Sequence, residues 1–241
     1  MESISIINNL SGKKHVKNEM KIAEMIKMKS HLKRIIKIFF SPITRIGLKN
    51  RNFTIISNNC WGGHYYDKYH LPYMTPTIGL FIPPKDFVKF INNLEFYLSK
   101  DVENIDVSTS KVLPVLERKI QNHLMNGLDN VFIGKIYDIE LVFIHYKSFD
   151  DARVKWNRRK KRVNYSNIII KFNDQNEFKE EDFDGFINCP YKNKVFFTSN
   201  CRYKGRPNVF YVKKYEKIGF ALDDIHTKFK FKEYVNNIER K

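Results

Sequence analysis

The sequence is poor in cysteine and lacks the patterns that cysteines form in disulfide frameworks and zinc sites. Its 241 residues include three cysteines, Cys60, Cys189 and Cys201, with no CxxC pair and one cysteine left over from any disulfide. Such usage is typical of a reducing compartment. No zinc spacing is present, so we predict no metal site.

Long uncharged hydrophobic runs are also lacking. No segment approaches the roughly 18 apolar residues that a membrane span needs. The first residues, MESISIINNLSGKK, have an acidic second position and no apolar core of the kind that signal peptides carry. From these two features we expect a cytoplasmic protein.

The common enzyme signatures are missing as well. The sequence contains no GxGxxG, no P-loop, no GxSxG and no HExxH. The sequence therefore identifies no cofactor.

Positive charge is abundant but unevenly distributed. The net charge is +17, and the segment from Gly12 to Arg51 contains twelve Lys or Arg and two Glu, which gives +10 there and leaves +7 elsewhere. A nucleic-acid-binding body usually spreads its basic residues over the fold. Nucleic acid is therefore not the partner that we expect.

Residues 16–40 have the pattern of a basic amphipathic helix that ends before Pro42. It could pack on the protein as an ordinary surface helix, or it could attach peripherally to an anionic membrane, with a location at the inner membrane face. The apolar positions of this pattern are Ile22, Met25, Ile26, Leu32, Ile35, Ile36, Phe39 and Phe40.

The rest of the chain alternates between strand and helix patterns. We predict a basic segment over residues 1–50 and one α/β domain over 51–241, with a mixed, mainly parallel sheet flanked by helices in a Rossmann-like three-layer arrangement. The predicted strands are 53–59, 77–82, 136–146, 167–173, 194–199 and 209–215. The predicted helices are 83–100, 148–162, 180–189 and 230–241.

Polar clusters follow several predicted strands, and in parallel strands they would meet at one edge of the sheet. After the first strand, Asn58 and Asn59 would shape a pocket, and Gly62 and Gly63 would allow a sharp turn or a close approach to a ligand. Trp61 would either stack on a sugar ring or fill the core.

Three residues at this predicted edge are candidate catalytic groups. Cys60 is a nucleophile or an inert buried thiol, with His64 or His145 as its candidate partner. His145 would be a general base, a hydrogen-bond partner for a hydroxyl group of the ligand, or a structural histidine. Asp174 is a base, a group that orients a sugar hydroxyl, a metal ligand or a turn cap.

Basic side chains near the same edge are candidates for binding phosphate or carboxylate. Arg158 and Arg162 lie one turn apart on the helix 148–162, and Arg159 is beside them. Lys171 lies on the strand 167–173. Basic residues in the last turn of a helix are also favoured by its dipole without any ligand.

Several linked motifs resemble a bacterial family of unknown function whose members are often labelled exopolysaccharide biosynthesis proteins. The resemblance runs from Phe53 to Ser199 and implies an α/β fold. It implies no established catalytic residue. The motifs are SNNCWGG, LPYMTPTIGLFIPPKDFVKFINNLEFYL, DIELVFIHYKSFDDARVKWNRRKKRVN, IIIKFND and KNKVFFTS.

From these patterns and this resemblance we expect an enzyme of cell-surface polysaccharide biosynthesis. It would transfer a group to a sugar from an activated, phosphate-bearing donor, so the expected ligand is a sugar or sugar phosphate. The alternative is a non-catalytic glycan-binding or assembly factor at the inner membrane face.

Overall fold

A computed structural model describes residues 41–221 and 224–238, together with Met25, Met28, Leu32, Ile35 and Phe39. Contacts divide the chain into two compact units, Met1–Ile46 and Gly47–Lys241. The predicted helix over residues 16–40 lies largely outside the described residues, and its five described members are helical. Residues 41–44 are helical as well, so the predicted end before Pro42 is wrong. The predicted positions 239–241 of the last helix also lie outside them.

The unit Gly47–Lys241 alternates between strands and helices, as expected for an α/β protein. Over residues 47–221 and 224–238 the strands are β1 Thr54–Ser57, β2 Leu80–Phe81, β3 Glu103–Ile105, β4 Phe132–Ile136, β5 Ile139–Phe143, β6 Ile168–Asn173, β7 Lys194–Thr198 and β8 Val209–Tyr211. The α-helices are α1 Trp61–Lys68, α2 Pro84–Asn92, α3 Leu94–Ser99, α4 Leu113–Gln121, α5 Phe149–Lys160, α6 Glu180–Ile187 and α7 Phe231–Asn236.

Four strands form a parallel sheet in the order β1-β6-β7-β8. The first pair is in register with Thr54 opposite Ile168 and Ser57 opposite Lys171. Because successive side chains of a strand point to opposite faces, Ile55 and Ile56 enter different parts of the core. The carboxyl ends of these strands therefore share one edge, as the sequence patterns predicted.

The other four strands form a separate antiparallel sheet in the order β2-β5-β4-β3. The predicted single strand 136–146 is wrong, because the chain reverses at Tyr137 and pairs Ile136 with Ile139. Tyr137 has a φ of 56°, a value that sequence rules expect at Asn or Gly rather than at tyrosine. The two sheets thus replace the mainly parallel sheet of the prediction.

The predicted helix over 83–100 is interrupted, and the one over 148–162 begins where expected. Asn93 separates α2 from α3. At the start of α5 the Ser148 hydroxyl accepts a hydrogen bond from the Asp151 amide at 3.1 Å, so the predicted N-cap is confirmed.

The hydrophobic core has three parts. One lies between the two sheets and α2, α5 and α6, and contains Phe87, Phe143 and Phe172. A second covers the other face of the parallel sheet with α1 and α7. A third covers the other face of the antiparallel sheet with α4. Both faces of the parallel sheet are therefore buried, which explains its almost continuous apolar strands.

The close packing of α2 against α6 depends on Gly185. A Cβ atom at this position would lie 2.4 Å from Cγ1 of Val88. We expect Gly185→Ala to lower the free energy of unfolding by about 1–3 kcal/mol, the usual cost of overpacking. Urea denaturation measures this change.

Gly63→Ala is the matched control. A Cβ atom on this helical glycine would lie 3.5 Å from the nearest atom of Ile78, an ordinary contact. Alanine also favours a helix over glycine by about 1 kcal/mol, so this variant should be neutral or more stable. Equal losses in the two variants would contradict the packing explanation.

Candidate functional site

The chain between β1 and α1 forms one side of a polar cluster. Asn58 is fully buried, whereas Asn59 and Cys60 are half-buried. The Asn59 Oδ1 atom accepts hydrogen bonds from the Trp61 amide and the Ser57 hydroxyl, both at 3.1 Å. These bonds hold the turn that leaves the strand and enters the helix.

Lys171 on β6 is the centre of the cluster. Its side chain is completely buried, and its Nζ atom donates to Asn59 Oδ1 at 2.9 Å and to Asn58 Oδ1 at 3.5 Å. Nζ also forms a direct ion pair with Asp224. Burial lowers the pKa of Lys171, and Asp224 opposes this shift.

Asp224 supplies the negative charge of the cluster. Besides Lys171, its Oδ2 atom accepts hydrogen bonds from Nδ2 of Asn59 at 2.9 Å and Nδ2 of Asn173 at 2.7 Å. Asn173 in turn accepts a hydrogen bond from Asn58 at 2.8 Å. Asp224 was not predicted from the sequence, where the available signal was a pair of aspartates after the apolar run GFAL.

Asp174 follows β6 directly, at the same edge. Its carboxylate accepts hydrogen bonds from the Thr198 hydroxyl at 2.5 Å and the Ala221 amide at 2.7 Å. Burial raises the pKa of Asp174, and these two bonds partly offset the effect. Its charge also acts on Lys171. The structure therefore brings Asp174 to the cluster, as predicted.

Cys60 lies beside the cluster, with its Sγ atom 3.8 Å from the Leu80 carbonyl oxygen. Burial raises the pKa of the Cys60 thiol, whereas a hydrogen bond from the Gly79 backbone and the charge of Lys171 act in the opposite direction. The neutral thiol is thus favoured at neutral pH. His64, a predicted partner, packs edge-on against Tyr65 with ring centres 5.2 Å apart.

His145 does not follow a strand of the parallel sheet, as had been expected. It comes after β5 of the antiparallel sheet, is exposed, and lines a cavity of about 490 Å³ together with Lys119 and Asn126. The hairpin turn at Tyr137 explains this error, because it pairs β5 with β4 in the antiparallel sheet, whereas the prediction placed the strand in the parallel sheet.

Trp61, Gly62 and Gly63 are parts of α1 rather than of an open pocket. Trp61 is completely buried and packs on Tyr65 and the aromatic rings of β7 and α7. A Cβ atom at Gly62 would lie 3.0 Å from Ile55, so this glycine allows the helix to approach β1. The expected sharp turn at the glycines is absent, and the tryptophan fills the core.

Arg158 and Arg159 of α5, both predicted to bind phosphate or carboxylate, have different environments. Arg158 is exposed, whereas Arg159 is buried and donates to the Tyr146 hydroxyl at 2.8 Å. The guanidinium group of Arg159 also lies over the Tyr73 ring at 4.9 Å. Arg159 therefore joins the helix to the segment before β2, and no described contact links either arginine to the polar cluster.

Two kinds of feature are missing from the part of the chain that the structure describes. No group of three or more His, Cys, Asp and Glu side chains there is arranged to hold a metal ion. No helix within the same residues is long and apolar enough to cross a membrane.

Comparison with known proteins shows the family. Residues 31–240 match the model described as a domain of unknown function, DUF1919, so the chain belongs to this family. A Haemophilus influenzae protein, named only as uncharacterized, is 31% identical over 191 residues, which cover 79% of this chain and 82% of the relative. The family match begins at residue 31, so it includes part of the basic N-terminal segment.

Substitutions of Lys171 and Asp224 should have strongly coupled effects on the free energy of unfolding. Lys171→Met leaves a buried carboxylate without its cation and is expected to lower the free energy of unfolding by about 3–5 kcal/mol. The double variant with Asp224→Asn should lose less than the sum of the two single variants. Urea denaturation of the four proteins measures the coupling, and additive losses would contradict it.

The ion pair between Lys89 and Asp138 is the control for this double-mutant comparison, because its side chains are 38% and 42% exposed. Lys89→Met should cost less than about 1 kcal/mol.

The three cysteines should differ in reactivity. Cys201 is exposed, whereas burial raises the pKa of Cys60 and of Cys189. At pH 8 iodoacetamide should alkylate Cys201 first, and the labelling of Cys60 should continue to accelerate as the pH rises further. Peptide mass spectrometry measures the rates. Urea-unfolded protein gives the reference rates of alkylation for each cysteine. Equal alkylation rates for Cys60 and Cys201 in the folded protein would contradict the buried environment of Cys60.

Proposed function

We propose that this protein is an enzyme of cell-surface polysaccharide biosynthesis that transfers a group from an activated, phosphate-bearing donor to a sugar. The observation that carries the proposal is the buried Lys171–Asp224 pair with its asparagines at the carboxyl edge of a parallel sheet. Such edges hold ligands in Rossmann-like folds, and perturbed ionisable groups cluster at functional sites.

The site residues divide into a supporting layer and an accessible layer. Lys171, Asp224 and Asn173 are buried and hold the other members in place. Asn59 and Cys60 are half-buried, so they are the members that a substrate reaches first. This arrangement provides the fixed polar groups that a sugar hydroxyl needs for orientation.

Asp174 is the general base of the proposed reaction. A sugar hydroxyl gives its proton to this carboxylate while its oxygen attacks the electrophilic centre of the donor, whose phosphate-bearing group leaves with the bonding electrons. A raised pKa favours this role, because a base works best when its pKa approaches the working pH. The proposal leaves out His145, since it lines another cavity.

Asp174→Asn is the sharpest test of this role. Asparagine can keep both observed hydrogen bonds, because its oxygen accepts from the Ala221 amide and its amide group donates to the Thr198 hydroxyl. In the native host, this variant should reduce the surface polysaccharide product by about 100-fold or more, as expected for loss of a general base. Mass spectrometry of the surface glycan measures the product.

His145→Ala is the matched control and should leave the glycan unchanged. The amount of each variant in cells and its thermal unfolding must match those of the wild type. An unchanged glycan with stable Asp174→Asn protein would remove the catalytic proposal and leave the glycan-binding or assembly factor as the remaining hypothesis.

A further inference from the structure

A row of exposed apolar side chains lies in the N-terminal unit. Met25, Met28, Leu32, Ile35 and Phe39, here called the apolar stripe, are helical and spaced by three, four, three and four residues. This spacing places them on one face of a helix. Their exposed fractions run from 40% for Ile35 to 73% for Phe39.

Exposed apolar residues continue beyond the stripe. Ile43 and Ile46, on either side of Thr44 and Arg45, are 60% and 69% exposed. Single exposed apolar residues are ordinary, but a contiguous row marks an interaction surface. We therefore expect a binding partner to cover this row of side chains.

Charge identifies the chemistry of that occupant. Between Met25 and Phe39 the sequence has five Lys or Arg and no Asp or Glu. The wider segment from Gly12 to Arg51 carries +10. A partner that buries the stripe must therefore offer an apolar region to the stripe and negative charges to the neighbouring basic residues. A bilayer that contains anionic lipids has both, in its acyl chains and its headgroups.

Two other arrangements fit less well. A second copy would bring one strongly positive segment against another, and the stripe spans about two heptads, whereas coiled coils usually need three or four. A membrane-spanning orientation fits less well, because a span needs about 20 consecutive, mainly apolar residues and the sequence from Met25 to Phe39 contains five Lys or Arg.

We propose that the apolar stripe lies in the plane of an anionic membrane surface, with its side chains among the acyl chains and the neighbouring basic residues among the lipid headgroups. Phe39 is the most exposed member, and phenylalanine is typical of the apolar face of helices that lie in the membrane interface.

Vesicle flotation with the full chain tests this surface. The protein should float with vesicles of equal parts phosphatidylcholine and phosphatidylglycerol, and much less with phosphatidylcholine alone. The double variant Leu32→Asp/Phe39→Asp should bind about tenfold or more weakly, because it removes two apolar side chains that the membrane would bury. High salt should also weaken binding, since it screens the lipid charge.

Val154→Asp/Ile218→Asp is the matched control, because it makes the same change at two apolar residues that are 62% and 48% exposed elsewhere. Its binding should equal that of the wild type. The proposal is overturned if the wild type does not float with anionic vesicles, or if both double variants bind as well as it does. It is also overturned if light scattering shows a dimer that Leu32→Asp/Phe39→Asp dissociates while vesicle binding is absent.

Discussion

The ion pair between Lys171 and Asp224 is the constraint on which the polar edge of this fold depends. A lysine on a strand that is buried on both faces is tolerated only with a charged partner and further hydrogen bonds. Asp224 supplies the partner, and the carboxamides of Asn58 and Asn59 supply the bonds. The positions of the turn after β1 and of the segment before α7 follow from this one requirement.

The need to compensate Lys171 also distinguishes the residues that support the site from the residue proposed to act on the substrate. Asp224 and Asn58 are buried and hydrogen-bonded within the cluster, so they support the lysine, whereas the half-buried Asn59 can also contact a ligand. Asp174 differs because no described hydrogen bond joins its carboxylate to Lys171. Burial raises the pKa of Asp174, and hydrogen bonds from the Thr198 hydroxyl and from backbone groups oppose this shift. Lys171 and Asp224 thus support the edge of the sheet, and the neighbouring Asp174 is the proposed base.

Local patterns predicted the parts of the fold that local forces determine. The run of β-formers before Asn58 and the Ser148 cap were recognised, because neither depends on distant residues. The hairpin at Tyr137 was missed since its residues do not have the usual turn composition. Asp224 was missed for a different reason: its partner lies 53 positions earlier, and nothing in the intervening sequence reveals the pairing.

The long separation between the partners of the polar cluster has a consequence for synthesis. Asn59 and Asp224 are 165 residues apart, whereas the strands that surround Lys171 are complete much earlier. A nascent chain that has not yet reached position 224 carries an uncompensated ammonium group in an otherwise apolar sheet. The parallel sheet therefore cannot reach its final stability on the ribosome until that late segment has emerged.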